Sequence, residues 1–291
     1  MLIGKKLAAI AFAAGLGLGV GLPAFAQDLT GTLKKISDSG EIVIGHRESS
    51  VPFSYLDSDQ KPIGYSIDIC ARIVDEISTE LGKEISVRYV PINPKTRIPL
   101  LANGTINMEC GSTTNTLTRQ QQVEYLPTTF ITGTKILTKT DSGINSIDDL
   151  GGKIIGLAPG TTNDRVIREE AEKRGIDVDF LVVNDHAEGM LALETGRADA
   201  YSTDHILLFG LIETSKSPDD FAVVGDFLSY DPYALMVPRD DSAFELIGKR
   251  ALANLFRTGE INDIYAKWFD PMGIEQTPLL QAAFQLATLP E

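Results

Sequence analysis

The sequence is poor in the groups that metal, redox and phosphate chemistry require. Among 291 residues there are two cysteines and three histidines. No pair of them has metal-ligand spacing with a third partner. No glycine-rich loop is followed by a phosphate-binding lysine, and no His-x-Glu deaminase pattern occurs. We therefore expect no metal, no cofactor and no catalytic nucleophile. Positive charge is also scarce: 26 Lys and Arg stand against 40 Asp and Glu, a formal net charge of -14. Such acidity argues against nucleic acid as a partner, although a local arginine cluster can still hold an anion.

The N-terminus carries Lys5 and Lys6, an apolar run over residues 7–22, then Pro23 and Ala24-Phe25-Ala26. A positive start, a short apolar core and a small-x-small end predict a secretory signal peptide, residues 1–26, cut after Ala26. The run is short for a membrane anchor, and no cysteine follows the cleavage position to take a lipid, so a soluble exported protein is expected. Loss of the two signal lysines takes the charge from -14 to -16. In an oxidising compartment Cys70 and Cys110 are expected to be either bridged to each other or separately buried.

Residues 42–68, IVIGHRESSVPFSYLDSDQKPIGYSID, organise the rest. A short β-branched strand ends at Gly45 and releases a basic, hydroxyl-rich loop, as open α/β sheets do where they place ligand groups at strand ends. Arg47 in that loop reads as an anion reader. From Tyr65, Ile69, Ile73, Val74 and Ile77 recur at helical spacing, and residues 85–91 form the next strand, so the start follows βαβ logic. Pro94 and Pro99 restrict residues 93–101 to a loop entering a short helix with Arg97 at its start. A strand over 106–109 then delivers Gly111-Ser112-Thr113-Thr114-Asn115, a small polar run offering hydroxyls and close amides, with Arg119 a few residues on.

The apolar run over 130–138 passes from this unit into a second. There a strand over 154–157, the loop Pro159-Gly160-Thr161-Thr162-Asn163 and a helix expose first-turn amides suited to a carboxylate. A strand over 177–183 leads to Asn184-Asp185-His186. Residues 187–204 read as a helix, a turn and a strand ending at Asp204. Residues 231–237 parallel the earlier crossing, so the chain is expected to return to the first unit. A helical stretch over 242–268, broken near Thr258-Gly259, closes the organised part.

The order of these motifs resembles the periplasmic amino-acid-binding proteins of ABC importers from about Leu33 to Met272. The form GHRESSVPFSY is similar to their glutamate/aspartate-binding branch, and GEINDIYAKWFDP resembles their C-terminal signature. The resemblance implies a two-lobed α/β periplasmic binding protein fold (type II), each lobe a mixed sheet flanked by helices, joined by two hinge strands. It places lobe I at 27–131 and 234–275, lobe II at 132–233, hinges near 130–135 and 229–234, and a C-terminal tail at 276–291. It implies a monomer that carries L-glutamate or L-aspartate to a permease in the inner membrane and does no chemistry on its ligand. Residues matching Arg47, Arg97 and His186 hold the side-chain carboxylate in that branch. Those matching Ser112, Thr114, Arg119, Thr162 and Asp204 hold the α-carboxylate and ammonium ends.

The charges cohere: two carboxylates and one ammonium require donors at both ends and an acid near the middle. Phe53 and Tyr233 are expected to line the cleft, Phe53 against the ligand's methylenes. One departure concerns selectivity. Where the branch has a side-chain-contacting serine, this chain has Pro94, with Thr96 the nearest hydroxyl. A broader glutamate, glutamine, aspartate and asparagine binder stays open on that ground. A periplasmic cyclohexadienyl dehydratase and a receptor-coupled sensor share the fold and remain as rival readings.

Overall fold

A computed structural model describes residues 29–290, so the signal segment 1–26 lies outside the described residues. Two five-stranded sheets organise the chain. In the first, the strands run in the order Ser86–Pro91, Glu41–His46, Met108–Cys110, Met236–Pro238, Val123–Tyr125. Its first three strands are parallel, and Met236–Pro238 runs antiparallel to both of its neighbours. The second repeats that plan in the order Asp179–Val182, Ile154–Leu157, Ala200–Asp204, Thr134–Lys139, Phe221–Val224. Its first three strands are likewise parallel, and Thr134–Lys139 is the antiparallel strand. The mixed sheets follow from the topology, because βαβ crossovers give parallel neighbours while the chain's return adds one strand of opposite sense.

The two crossings are more finely divided than the sequence suggests. Each apolar run is two strands: Phe130–Thr132 and Asp231–Tyr233 pair with one another, whereas Thr134–Lys139 and Met236–Pro238 enter the two large sheets. Gly133 makes the first break, since a Cβ there would lie 2.1 Å from the Ser229 carbonyl oxygen. Two further elements had no clear sequence signal. Ser49–Ser50, Ser54–Leu56 and Pro62–Ile63 form a small antiparallel sheet, and His205–Glu213 is a separate helix directly after Asp204.

The helix Tyr65–Leu81 buries Ile69, Ile73, Val74 and Ile77 as their spacing predicts. A disulfide joins its Cys70 to Cys110 at the end of a central strand, with Cα atoms 6.3 Å apart. Beneath the crossings lies an aromatic cluster. Phe53 packs edge-on against Phe130, Tyr233 and Phe269 at centroid distances of 5.0, 5.2 and 5.6 Å. The C-terminal residues form the helix Pro278–Leu286, which buries Leu280 and Phe284 and stacks Phe284 on Phe256 at 4.9 Å.

Candidate ligand-binding site

A small cavity lies where the C-terminal strand ends of the two sheets face each other, the position at which open α/β sheets bind ligands. It is lined by Arg47, Arg97, Ser112 and Thr114 from the first half, and by Thr161, Thr162, Asn163, His186, Thr203, Asp204 and Leu207 from the second. Seven of the ten residues singled out in the sequence are on that wall. Its volume is about 10 Å³, room for roughly one water. A groove of about 490 Å³ elsewhere, beside Lys35 and Arg239, is far larger. Convergence of buried polar atoms, not size, distinguishes the small cavity.

Each side chain is placed by its local fold. Arg47 follows the strand Glu41–His46, and its amide donates to Ser54 Oγ at 2.9 Å. Arg97 opens the short helix Arg97–Ala102. Its Nη1 donates to Thr113 Oγ1 at 2.7 Å, and its Nη2 donates to the Gly160 carbonyl at 3.3 Å. Arg119 stands at the edge of the cavity, donating from Nη1 to the Thr114 carbonyl at 2.7 Å and from Nη2 to the Gly160 carbonyl at 2.9 Å. One carbonyl of the second half therefore accepts from two guanidiniums of the first. Thr114 and Thr162 hydroxyls meet across the same gap at 3.3 Å. Thr161 caps the helix Thr162–Arg174 by accepting from the Asp164 amide, which aims the helix's first turn at the cavity.

Asp204 ends the strand Ala200–Asp204 and is 3% exposed. Asn163 Nδ2 donates to its Oδ1 at 3.0 Å, and the Tyr233 hydroxyl donates to its Oδ2. Burial, with Asp231 next, pushes its carboxyl up to about 7. His186 heads the helix His186–Glu194, and its Nδ1 meets the Tyr201 hydroxyl at 2.8 Å. Burial, followed by Arg47 and Arg97, holds its imidazole well below the usual range, so the ring is neutral near pH 7. Burial also lowers Arg47 and Arg97, and brings Arg119 down to about 10.

Several of these groups are unusually placed for structural residues. Arg47 Nη2, Arg97 Nε, Ser112 Oγ and His186 Nε2 are buried and have no hydrogen-bond partner among the described residues. Buried polar atoms are overwhelmingly paired in native proteins, so four such atoms on residues of one cavity point to a polar ligand.

Three further residues stand off the wall of the closed cavity. Phe53 sits in the aromatic cluster behind the site and does not line the cavity. Tyr233 acts through its hydroxyl on Asp204 and is not itself on the wall. Thr96, the nearest hydroxyl to Pro94, accepts from the Asn93 amide and is exposed, so it does not replace a serine at the cavity. The sequence reading also gave no role to the side chains of Glu109, Asn163 and Tyr201. Glu109 had a usable signal: it is the one acid of the strand Met108–Cys110, and a charged residue in a central strand is rarely there for packing.

Residues 42–271 match the bacterial extracellular solute-binding proteins, family 3. An L-glutamate/L-aspartate-binding protein of Pseudomonas aeruginosa is 42% identical over 249 residues, 85% of this chain and 82% of the relative. A glutamate/aspartate import solute-binding protein of Salmonella typhimurium is 39% identical over 259 residues, 87% of this chain and 85% of the relative. Among solved structures, an ancestral arginine-binding protein bound to glutamine superposes with a TM-score of 0.71 at 26% identity, covering 79% of this chain and 98% of that one.

Proposed function

The chain belongs to the bacterial extracellular solute-binding proteins, family 3, and from that premise we propose that it binds an acidic L-amino acid in the periplasm and delivers it to an ABC importer. No reaction is performed on the ligand. The membrane permease of that importer is the protein partner, and the binding protein works as a monomer.

The observation that carries the reading is the charge and donor content of the cavity. Arg47 and Arg97 are 1% and 2% exposed, and a planar guanidinium suits a carboxylate bidentately. Together with Nε2 of neutral His186, which donates when Tyr201 donates to Nδ1, they hold the side-chain carboxylate. Arg119, Ser112, Thr114 and Thr162 hold the α-carboxylate, with the first-turn amides of the helix Thr162–Arg174 behind them. Asp204 pairs with the ammonium, and Tyr233 and Asn163 fix its two oxygens.

A cavity of about 10 Å³ admits no amino acid, so the ligand enters only when the two sheets move apart. The paired crossings Phe130–Thr132 and Asp231–Tyr233 are the elements about which they turn. Contacts from both halves to one ligand shift the population toward the closed arrangement, and the closed face is what the permease receives.

The test is titration calorimetry of mature protein that has been unfolded, dialysed and refolded to strip carried ligand, against L-glutamate, L-aspartate, L-glutamine and L-asparagine. Micromolar or tighter binding, about -8 kcal/mol or stronger, confined to the two acids is expected. Equal binding of the amides would refute acid selectivity, and no binding of any of the four would overturn the assignment.

A further inference from the structure

Behind the cavity wall lies one charged group that the ligand scheme above leaves without a task. Glu109 lies in the middle of the first sheet, in register with Gly45 on one side and Met236 on the other, and is 0% exposed. Gly111 makes room for its carboxylate, because a Cβ at that position would stand 2.3 Å from Glu109 Oε1. Oε1 accepts from Thr113 Oγ1 at 3.0 Å, and Thr113 Oγ1 in turn accepts from Arg97 Nη1 at 2.7 Å. Oε2 is buried with no hydrogen-bond partner among the described residues. The cationic groups acting on this carboxylate are Arg97, Arg47 and Arg119, and they oppose the upward push of burial on its pKa.

We infer that Glu109 is a specificity-determining residue: it fixes the Arg97 guanidinium through Thr113 and trims the end of the site that takes the ligand's side chain to a single excess positive charge, matched to one side-chain carboxylate. The charge count at that end makes the case. Among its buried groups, Arg47 and Arg97 are opposed by Glu109, and His186 is neutral, while Arg119, Asp204 and the buried Asp231 stand together at the other end. A side-chain carboxylate then leaves the end at zero net charge, whereas the uncharged amide leaves one positive charge uncompensated. Packing alone does not account for a carboxylate here. Glutamine has the same shape and can accept the Thr113 bond equally well, and it would spare the desolvation of a buried charge. What glutamine cannot supply is the negative charge.

The inference rests on the acidic-ligand reading, and the two can fail separately. Wild type, E109Q and T113V are stripped by unfolding, dialysis and refolding, checked for a cooperative thermal transition, and titrated with L-glutamate and L-glutamine. In E109Q the excess positive charge at that end doubles, so the ratio of glutamate to glutamine affinity is expected to rise at least about tenfold, the size of a unit-charge interaction across roughly 10 Å at an effective dielectric of about 20. An unchanged or lowered ratio in folded E109Q overturns the inference. Wild type that binds both ligands equally refutes acid selectivity instead, while the direction of the E109Q shift still decides the role of Glu109. Should E109Q not fold, T113V carries the test. Valine keeps the Glu109 charge but removes the Arg97 Nη1 bond, leaving the longer Nη2 bond to the Gly160 carbonyl, so glutamate affinity is expected to fall about tenfold with a smaller change for glutamine; equal changes for both overturn the inference.

Discussion

Replacing Gly160 by alanine should separate closure of the cleft from stability of the fold. Gly160 has φ +88°, and a Cβ on it would lie 2.7 Å from the Pro94 carbonyl oxygen and 3.1 Å from the Pro94 carbonyl carbon. The left-handed backbone costs alanine about 1–2 kcal/mol in any arrangement of the two halves, so that term appears in denaturant unfolding. The clash exists only when the halves meet. Relaxing it to an ordinary C···O contact of about 3.4 Å moves the two loops apart by about 0.7 Å. The Arg119 Nη2 bond to the Gly160 carbonyl would stretch from 2.9 Å beyond hydrogen-bond range, and the 3.3 Å bond from Arg97 would be lost with it. Bonds to charged groups contribute roughly 1.5–3 kcal/mol each. Partial loss of two predicts amino-acid affinity about 10–100-fold weaker in G160A by calorimetry. A variant that loses the expected stability but binds within about twofold of wild type would show that Pro94 and Gly160 do not meet in the liganded form, and the closure argument would fall.

Asp204 gives a pH signature of definite sign. Its folded value of about 7 lies above the ordinary carboxylate value, so its contribution to the stability of unliganded protein is complete below about pH 4 and is lost as pH rises to about 7, on the order of 4 kcal/mol. His186, lowered in the fold, works the opposite way, losing stability as pH falls below about 6.5; the difference in melting temperature between wild type and D204N from pH 5 to 8 isolates the aspartate, and a flat difference would refute it. Over the same range wild-type affinity should rise with pH, because the ligand ammonium needs the ionised carboxylate. Removing the disulfide as a C70S/C110S double variant should lower the unfolding free energy by about 4 kcal/mol for a loop of 40 residues, read as a shifted urea midpoint. F284A should lose about 3 kcal/mol of stability from the Phe256 stack without altering ligand affinity, and a changed affinity would mean that the C-terminal helix communicates with the cleft.

Much of this molecule was legible because its signals are local. Ile69, Ile73, Val74 and Ile77 mark their helix by spacing alone, and the hydroxyl runs at 111–115 and 160–163 mark strand ends. The polar wall followed from them and from the family pattern. What was hidden depends on contacts distant in sequence. The break at Gly133 is imposed by Ser229, nearly a hundred residues away, so an apolar run reads as one strand when it is two. Phe53 is ambiguous in the sequence for a related reason: an aromatic beside a binding loop suits a ligand's methylenes or a core equally, and only the positions of Phe130, Tyr233 and Phe269 show the cluster its ring joins. Glu109 was missed because its importance lies in three arginines contributed by separate loops.

The proposed ligand scheme divides the work of the site between its two ends. At the α end, the groups that would meet the ligand also meet each other across the cleft: Thr114 with Thr162 and Arg119 with the Gly160 carbonyl. Every amino acid presents the same α-carboxylate and ammonium to that end, so it governs whether the halves close. At the far end Arg47, Arg97, Thr113 and Glu109 all come from the first half, and His186 together with the Gly160 carbonyl, which accepts from Arg97 Nη2, answers from the second. Charge there differs between an acid and its amide, so that end governs which ligand is held. The consequence is a separable pair of defects. R119A should weaken glutamate and glutamine together by a factor of about a hundred or more, as truncating one partner of a buried charge pair does, whereas R47A should weaken glutamate far more than glutamine. Parallel losses in both variants, measured by calorimetry with the two ligands, would show that closure and selectivity are carried by one undivided set of contacts.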